Sequence, residues 1–246
     1  MTITRSLLLL APIALLAACG DGAGNSSGGS AAAPVAATPA PAGKQWTDVV
    51  AVTPEGGYRM GNPDAPIKLV EFGSRTCHVC AAFDAEGSEP LKQRYVSTGK
   101  VSYEYRDYLR NPIDIAATLI GECNGPEPFF PLVHQVMAGQ EQLLARAEAM
   151  PPAVQQQLAT LPPQQQFTGW AEAVGLIDWA KQRGIPEAKA RQCLGDVAKA
   201  EKMVEANGKA TEQYGIAGTP TFLLNGEKLE GTTWQVVEGA IKAAGG

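Results

Sequence analysis

The chain has 246 residues, 45% of them hydrophobic and 18% charged, with a formal net charge of −5. Composition in that range excludes a wholly disordered chain, and the acidic balance argues against a nucleic-acid binder, whose phosphate contacts need a basic face. Five Cys and two His exclude a protein with several zinc sites and leave room for two disulfides and one odd Cys.

Residues 1–18 read as a secretory signal. Arg5 supplies the positive start, and Leu7 to Ala18 form an apolar stretch too short to span a bilayer as a helix. The run Leu16-Ala17-Ala18-Cys19 resembles a bacterial lipobox, which implies lipidation of Cys19 and an anchor in an envelope membrane. Ordinary cleavage near Ala18, with Cys19 left as a free thiol, is the other reading. Gly20 stands where lipoproteins kept at the inner membrane typically carry Asp, which leans towards the outer membrane. From 20 to 43, 20 of 24 residues are Gly, Ala, Ser or Pro. Such a stretch buries too little apolar surface to offset its ordering entropy and reads as a flexible tether of about 25–30 Å.

The globular part is 44–246. Strands are expected at 47–52, at 66–73 (bounded by Asn62-Pro63-Asp64 and Gly73) and at 101–108, with a helix from about Cys77 to Val96 between the last two. That is a β-α-β unit with a parallel strand pair, so the fold class is α/β. From about 112 to 195 strand signals vanish, and Pro151, Pro152, Pro162 and Pro163 cut an Ala/Gln/Leu/Glu-rich stretch into short helices. We read this as a helical insertion, with Pro186 in the first turn of its last helix and Gln155–Gln157 and Gln164–Gln166 as solvated surface. Asp196 should cap a helix running to Tyr214 and closed by Gly215. Asn225-Gly226 should turn a hairpin between 221–224 and 227–230. Thr232 with Gln235 fits a capping box for a last helix.

Cys77-His78-Val79-Cys80 is a CxxC at a strand-to-helix junction. At a helix start, outward-pointing N–H groups and the helix dipole favour a thiolate, the nucleophilic form of Cys. Cys77 would then be the exposed nucleophile and Cys80 the shielded thiol that resolves a mixed disulfide. His78, if protonated, would further favour the thiolate. Zinc would need two more ligands, which no second CxxC or His-x₃-His supplies. A c-type haem needs His after the second Cys, but residue 81 is Ala. A purely structural CxxC disulfide stays open.

The run Gly61 to Cys80, with Gly218-Thr219-Pro220-Thr221-Phe222, resembles DsbA-like thiol-disulfide oxidoreductases. The resemblance extends over about 47–244. It implies a thioredoxin-like fold with an inserted helical domain, and disulfide exchange with substrate proteins without metal or organic cofactor. It also implies a redox partner that resets the CxxC. Pro220 would be cis beside the CxxC, and the backbone of Thr219 would pair with substrate peptide. Glu71 would be a buried acid relaying protons near Cys80, although an alternating strand could instead point it into solvent. His78-Val79 differs from the Pro-His of the best-known oxidase, which leaves oxidase against isomerase or reductase open, as well as a non-catalytic thioredoxin-like binding module. Cys123 and Cys193 lie at the two ends of the insertion and plausibly bridge in an oxidising compartment, the alternative being two separate buried thiols. His134 reads as a surface or core residue, and Tyr103, Tyr105 and Tyr108 as strand packing.

Overall fold

The computed structural model describes residues 32–246; the signal, Cys19 and the first part of the tether lie outside the described residues. A short 3-10 turn, Trp46–Asp48, opens the domain, followed by β1 (Val50–Val52), β2 (Tyr58–Met60) and β3 (Ile67–Gly73). Helix α1 (His78–Arg94) leads to β4 (Val101–Asp107). The expected first strand at 47–52 is thus half turn and half strand. β2 went unread because three residues between Gly57 and Gly61 are too few to show alternation. The strand order is β1-β2-β4-β3, with β3 and β4 parallel and the other pairs antiparallel.

Seven helices follow, α2 (Pro112–Gly121), α3 (Phe129–Ala138), α4 (Gln140–Glu148), α5 (Pro152–Ala159), α6 (Pro163–Ala173), α7 (Leu176–Lys181) and α8 (Glu187–Leu194). They occupy the expected insertion and enclose a core of their own, centred on Ala116, Ile120, Ala171, Leu176 and Leu194. Pro152 and Pro163 each start a helix, where the missing N–H costs nothing. Pro186 is instead the residue before α8, outside its first turn. Gln155 and Gln166 are less idle than expected. Their side-chain amides donate to carbonyls at the ends of the preceding helices, Met150 and Ala159.

Helix α9 (Val197–Tyr214) is capped by Asp196, whose side chain accepts from the Lys199 N–H at 3.0 Å, and closes at Gly215 in the left-handed region. Strands β5 (Thr221–Leu224) and β6 (Glu227–Lys228) complete the sheet beside β3, turning at Asn225-Gly226 with both residues at positive φ. The last helix, α10 (Trp234–Ala243), is capped by Thr233 rather than Thr232. One residue later in register, the helix begins with Trp234, which fills the gap beside Phe83 and Gly87.

Strand β3 is central, and both its faces are covered. Ile67 and Leu69 face Phe83 and Leu91 of α1 and Val237 and Ile241 of α10; Val70 and Phe72 face Ala210 of α9. Residues 32–43 differ from a free tether. Ala32 and Val35 donate from their N–H groups to the carbonyls of Ala243 and Gly245 at 3.0 and 2.8 Å, and Val35 packs against the main core. The last carbonyls of a helix have no partner within it, and this strap supplies one. The strap continues to Thr98, past the end of α1 remote from Cys77.

Candidate active site

Cys77 is the N-cap of α1, in extended backbone, and Cys80 lies in the first turn. Cys80 is fully buried, and the Ser74 N–H approaches its sulfur at 3.5 Å. Cys77 is only 5% exposed, so the freely exposed nucleophile expected from the sequence is corrected to a recessed one. The loop before Pro220 closes over it, and the Cys77 thiol donates to the Thr219 carbonyl at 3.1 Å. The Thr219-Pro220 bond is cis. His78 and Val79, both exposed, form the outer rim.

The two thiols are driven apart in acidity. A hydrogen bond from the Cys80 side chain brings Cys77 down to about 5, against the opposing effect of burial; the Thr219 side chain and the backbone N–H groups of Cys80 and Val79 add to the lowering. The same partner interaction, together with burial and the nearby charge of Glu71, pushes the Cys80 thiol well up. His78 is not among the principal causes of the Cys77 shift. The reason is positional: the residue after the N-cap projects outward.

Glu71 is buried, 2% exposed. The two covered faces of β3 decide this rather than the neighbouring Val70 and Phe72, which point to the opposite face. Its Oε2 accepts from the Tyr103 hydroxyl at 2.5 Å. Burial pushes its carboxyl up to about 8, with Tyr103 opposing and the negative fields of Asp84, Cys77 and Asp107 reinforcing.

The sequence did not disclose what holds Ser74-Arg75-Thr76, the loop that presents Cys77. Arg75, fully buried, makes two hydrogen bonds to Asp107, at 2.7 and 3.0 Å, and lies over the Phe129 ring. Asp114 of α2 accepts from the Ser74 and Thr76 hydroxyls and the Thr76 N–H, all at 3.0 Å. The Gln140 amide donates to the carbonyls of Arg75 and Cys77 at 3.0 and 3.1 Å. Gly121 leaves room for the guanidinium, since a Cβ there would strike Arg75. Asp114, Gly121 and Gln140 all belong to the insertion, so the inserted helices position the CxxC loop. A polar residue in an apolar helix, as Asp114 is in Pro112–Gly121, was the signal available.

Cys123 and Cys193 are joined, with Cα atoms 5.9 Å apart and a sequence separation of 70. His134 is exposed and pairs with Asp84 at 2.6 Å. Of the tyrosines, Tyr103 serves Glu71 and Tyr108 meets Thr211, while the Tyr105 hydroxyl is buried without a partner.

A dithiol at a helix start, roofed by a cis-proline loop, defines a thioredoxin-fold centre. The chain belongs to the thioredoxin family, whose model matches residues 53–243. A crystal structure titled protein-disulfide isomerase, from Novosphingobium aromaticivorans, is 32% identical, with 74% of this chain and 94% of that one covered and a TM-score of 0.72. Wolbachia pipientis alpha-DsbA1 shares the fold at 20% identity, with 77% and 90% covered and a TM-score of 0.61. A Rickettsia bellii protein provisionally named a protein-disulfide oxidoreductase is 25% identical over 185 residues, 75% of this chain. The chain spans 63% of that relative's length.

Proposed function

We propose that this protein is a thiol-disulfide oxidoreductase of the bacterial envelope that oxidises substrate proteins. The observation that carries this is the placement of the two thiols within one helical turn, Cys77 at the N-cap of α1 under the cis-Pro220 loop and Cys80 fully buried behind it. A thiolate stabilised at Cys77 favours the reduced dithiol, and that makes the disulfide form a good oxidant. A substrate thiolate attacks the Cys77 sulfur, a mixed disulfide forms and Cys80 leaves. A second substrate thiol then expels Cys77 as a thiolate, and a redox partner restores the disulfide. The backbone of Thr219 borders the Cys77 sulfur, which suits it to align an extended peptide as an added strand. No metal or organic cofactor enters this chemistry.

The likeness to the Novosphingobium protein-disulfide isomerase favours a second reading, disulfide shuffling. The reduction potential of the Cys77–Cys80 couple separates the two directions. A value of about −120 mV supports net oxidation, and one of about −180 mV supports shuffling.

In the same reading residues 1–18 are removed, Cys19 carries the lipid, and the protein is held in the periplasm, with the outer membrane favoured. Mass spectrometry of the mature N-terminus tests the anchor: an unmodified Cys19 would remove it.

A further inference from the structure

The acid near the resolving cysteine has an unusual companion. Glu71 sits in the sheet between Tyr105 on β4 and Phe222 on β5. Its side chain accepts one hydrogen bond among the described residues, from the Tyr103 hydroxyl, and has no cationic partner among them. A buried carboxyl normally needs an opposite charge or hydrogen bonds to ionise. Here that task falls to one neutral hydroxyl.

Every other charged or titratable group facing Glu71 works against ionisation or is engaged elsewhere. From α1 come Cys77, Cys80 and Asp84, and from β4 Asp107 and Tyr105. Asp84 is tied at the rim to His134 of α3, and Asp107 is held by Arg75. On α10 the charged residues Glu238 and Lys242 pair with each other, and Glu238 also meets Arg94, away from the sheet centre. β5 offers only the Phe222 ring beside Glu71.

We propose, resting on the exchange reading above, that Tyr103 is a positioning residue: its hydroxyl anchors Oε2 of Glu71 and leaves Oε1 to pass a proton to and from Cys80. When a substrate thiolate attacks Cys77, the Cys77–Cys80 bond breaks and Cys80 departs with the electron pair. The Glu71 proton transfers to it, and the carboxylate that remains is held by Tyr103. In the resolving direction the carboxylate takes the Cys80 proton, the Cys80 thiolate attacks the Cys77 sulfur, and the substrate leaves as a thiolate. Electrons and protons balance without a further reactant. The hydroxyl favours ionised Glu71, so its loss moves the carboxyl to higher pH.

The test is single-turnover resolution of a mixed disulfide between Cys77 and thionitrobenzoate, with release of the chromophore followed across pH 6–10. The unaltered protein should show a midpoint near 8, the value to which Glu71 is raised. Tyr103→Phe should move it up by about one unit or more, since a hydrogen bond to a charged group is worth about 1.5–3 kcal/mol and one unit is 1.36. Glu71→Gln should remove that titration step. Incorporation of 3-fluorotyrosine into the unaltered chain, which makes the hydroxyl a stronger donor, should move the midpoint down and serves if Tyr103→Phe fails to fold. A midpoint unmoved by both tyrosine changes, with the step lost in Glu71→Gln, overturns the role of Tyr103 and leaves Glu71 in place. A step that persists in Glu71→Gln overturns the inference as a whole. Failure of Cys77 to form any mixed disulfide overturns the exchange reading itself, and the inference with it.

Discussion

The molecule holds two cysteine pairs, and they are treated in opposite ways. Cys77 and Cys80 lie within one turn at the start of α1, beneath a cis-proline loop, beside unpaired helix N–H groups and within the field of a buried acid. Cys123 and Cys193 join the stretch just after α2 to α8, 70 positions apart in sequence, and both sulfurs are taken up in that bridge. The first pair is split in acidity, which in the proposed exchange lets one sulfur attack while the other waits. The second closes a long loop, which limits the unfolded chain more than it alters the folded one. Sequence spacing alone separates the two pairs; what surrounds each sulfur decides its chemistry.

The comparison breaks most visibly at the nucleophile. Cys77→Ser should abolish turnover to background in a peptide-oxidation assay, whereas Cys80→Ser should keep the first attack and accumulate mixed disulfides on non-reducing gels. Equal trapping by both variants would favour a binding module over an enzyme.

Next in size comes the frame of the reactive pair. Asp107→Asn leaves the Arg75 guanidinium buried and unpaired, which should cost about 3–5 kcal/mol in a urea unfolding curve. It should also slow attack at Cys77, because Arg75 carries the loop. A loss below about 1 kcal/mol would show the pair to be dispensable.

Removing the other pair should act on stability alone. Cys123→Ala with Cys193→Ala should cost about 4 kcal/mol, while alkylation of Cys77 keeps its midpoint near 5. In the unaltered chain, graded dithiothreitol should open the CxxC well before the long-loop bridge. Simultaneous opening would erase the distinction between the pairs.

The two cysteine forms also differ in pH dependence, and the signs of the two contributions are opposed. Cys77 falls from an ordinary 9.0 to about 5 on folding. The unfolded chain therefore binds a proton that the folded one lacks between those values, and the reduced protein gains stability as pH rises through that window. That gain is lost as pH falls through 5, and it is absent from the oxidised form. Glu71 rises from 4.5 to about 8. The folded state keeps its proton there, so stability falls as pH rises from 4.5 to 8. The difference between reduced and oxidised melting curves isolates Cys77, and Glu71→Gln isolates the acid. A reduced-minus-oxidised difference that shrinks from pH 5 to 8 would contradict the assignment of Cys77.

Local chemistry was legible without coordinates. The CxxC at a strand-to-helix junction, the Asp196 cap, the Gly215 stop and the Asn225-Gly226 turn each depend on residues within four positions of one another, where backbone preference and capping decide the outcome. The helical character of the stretch from 112 to 194 was legible because composition changes there. What tertiary structure alone decided lies at long separation. Glu71 is buried because α1, α9 and α10 cover both faces of β3, and an alternating strand carries no record of its cover. Cys77 is recessed because a loop 142 residues later folds over it. The strap at 32–38 is held because the end of α10 offers carbonyls without partners. Arg75, Asp107, Asp114 and Gln140 form one frame only once the insertion packs against the CxxC loop. The sequence by itself determined the reactive pair and the elements that carry it; packing determined which groups surround the sulfurs, because burial and partnership are properties of neighbours distant along the chain.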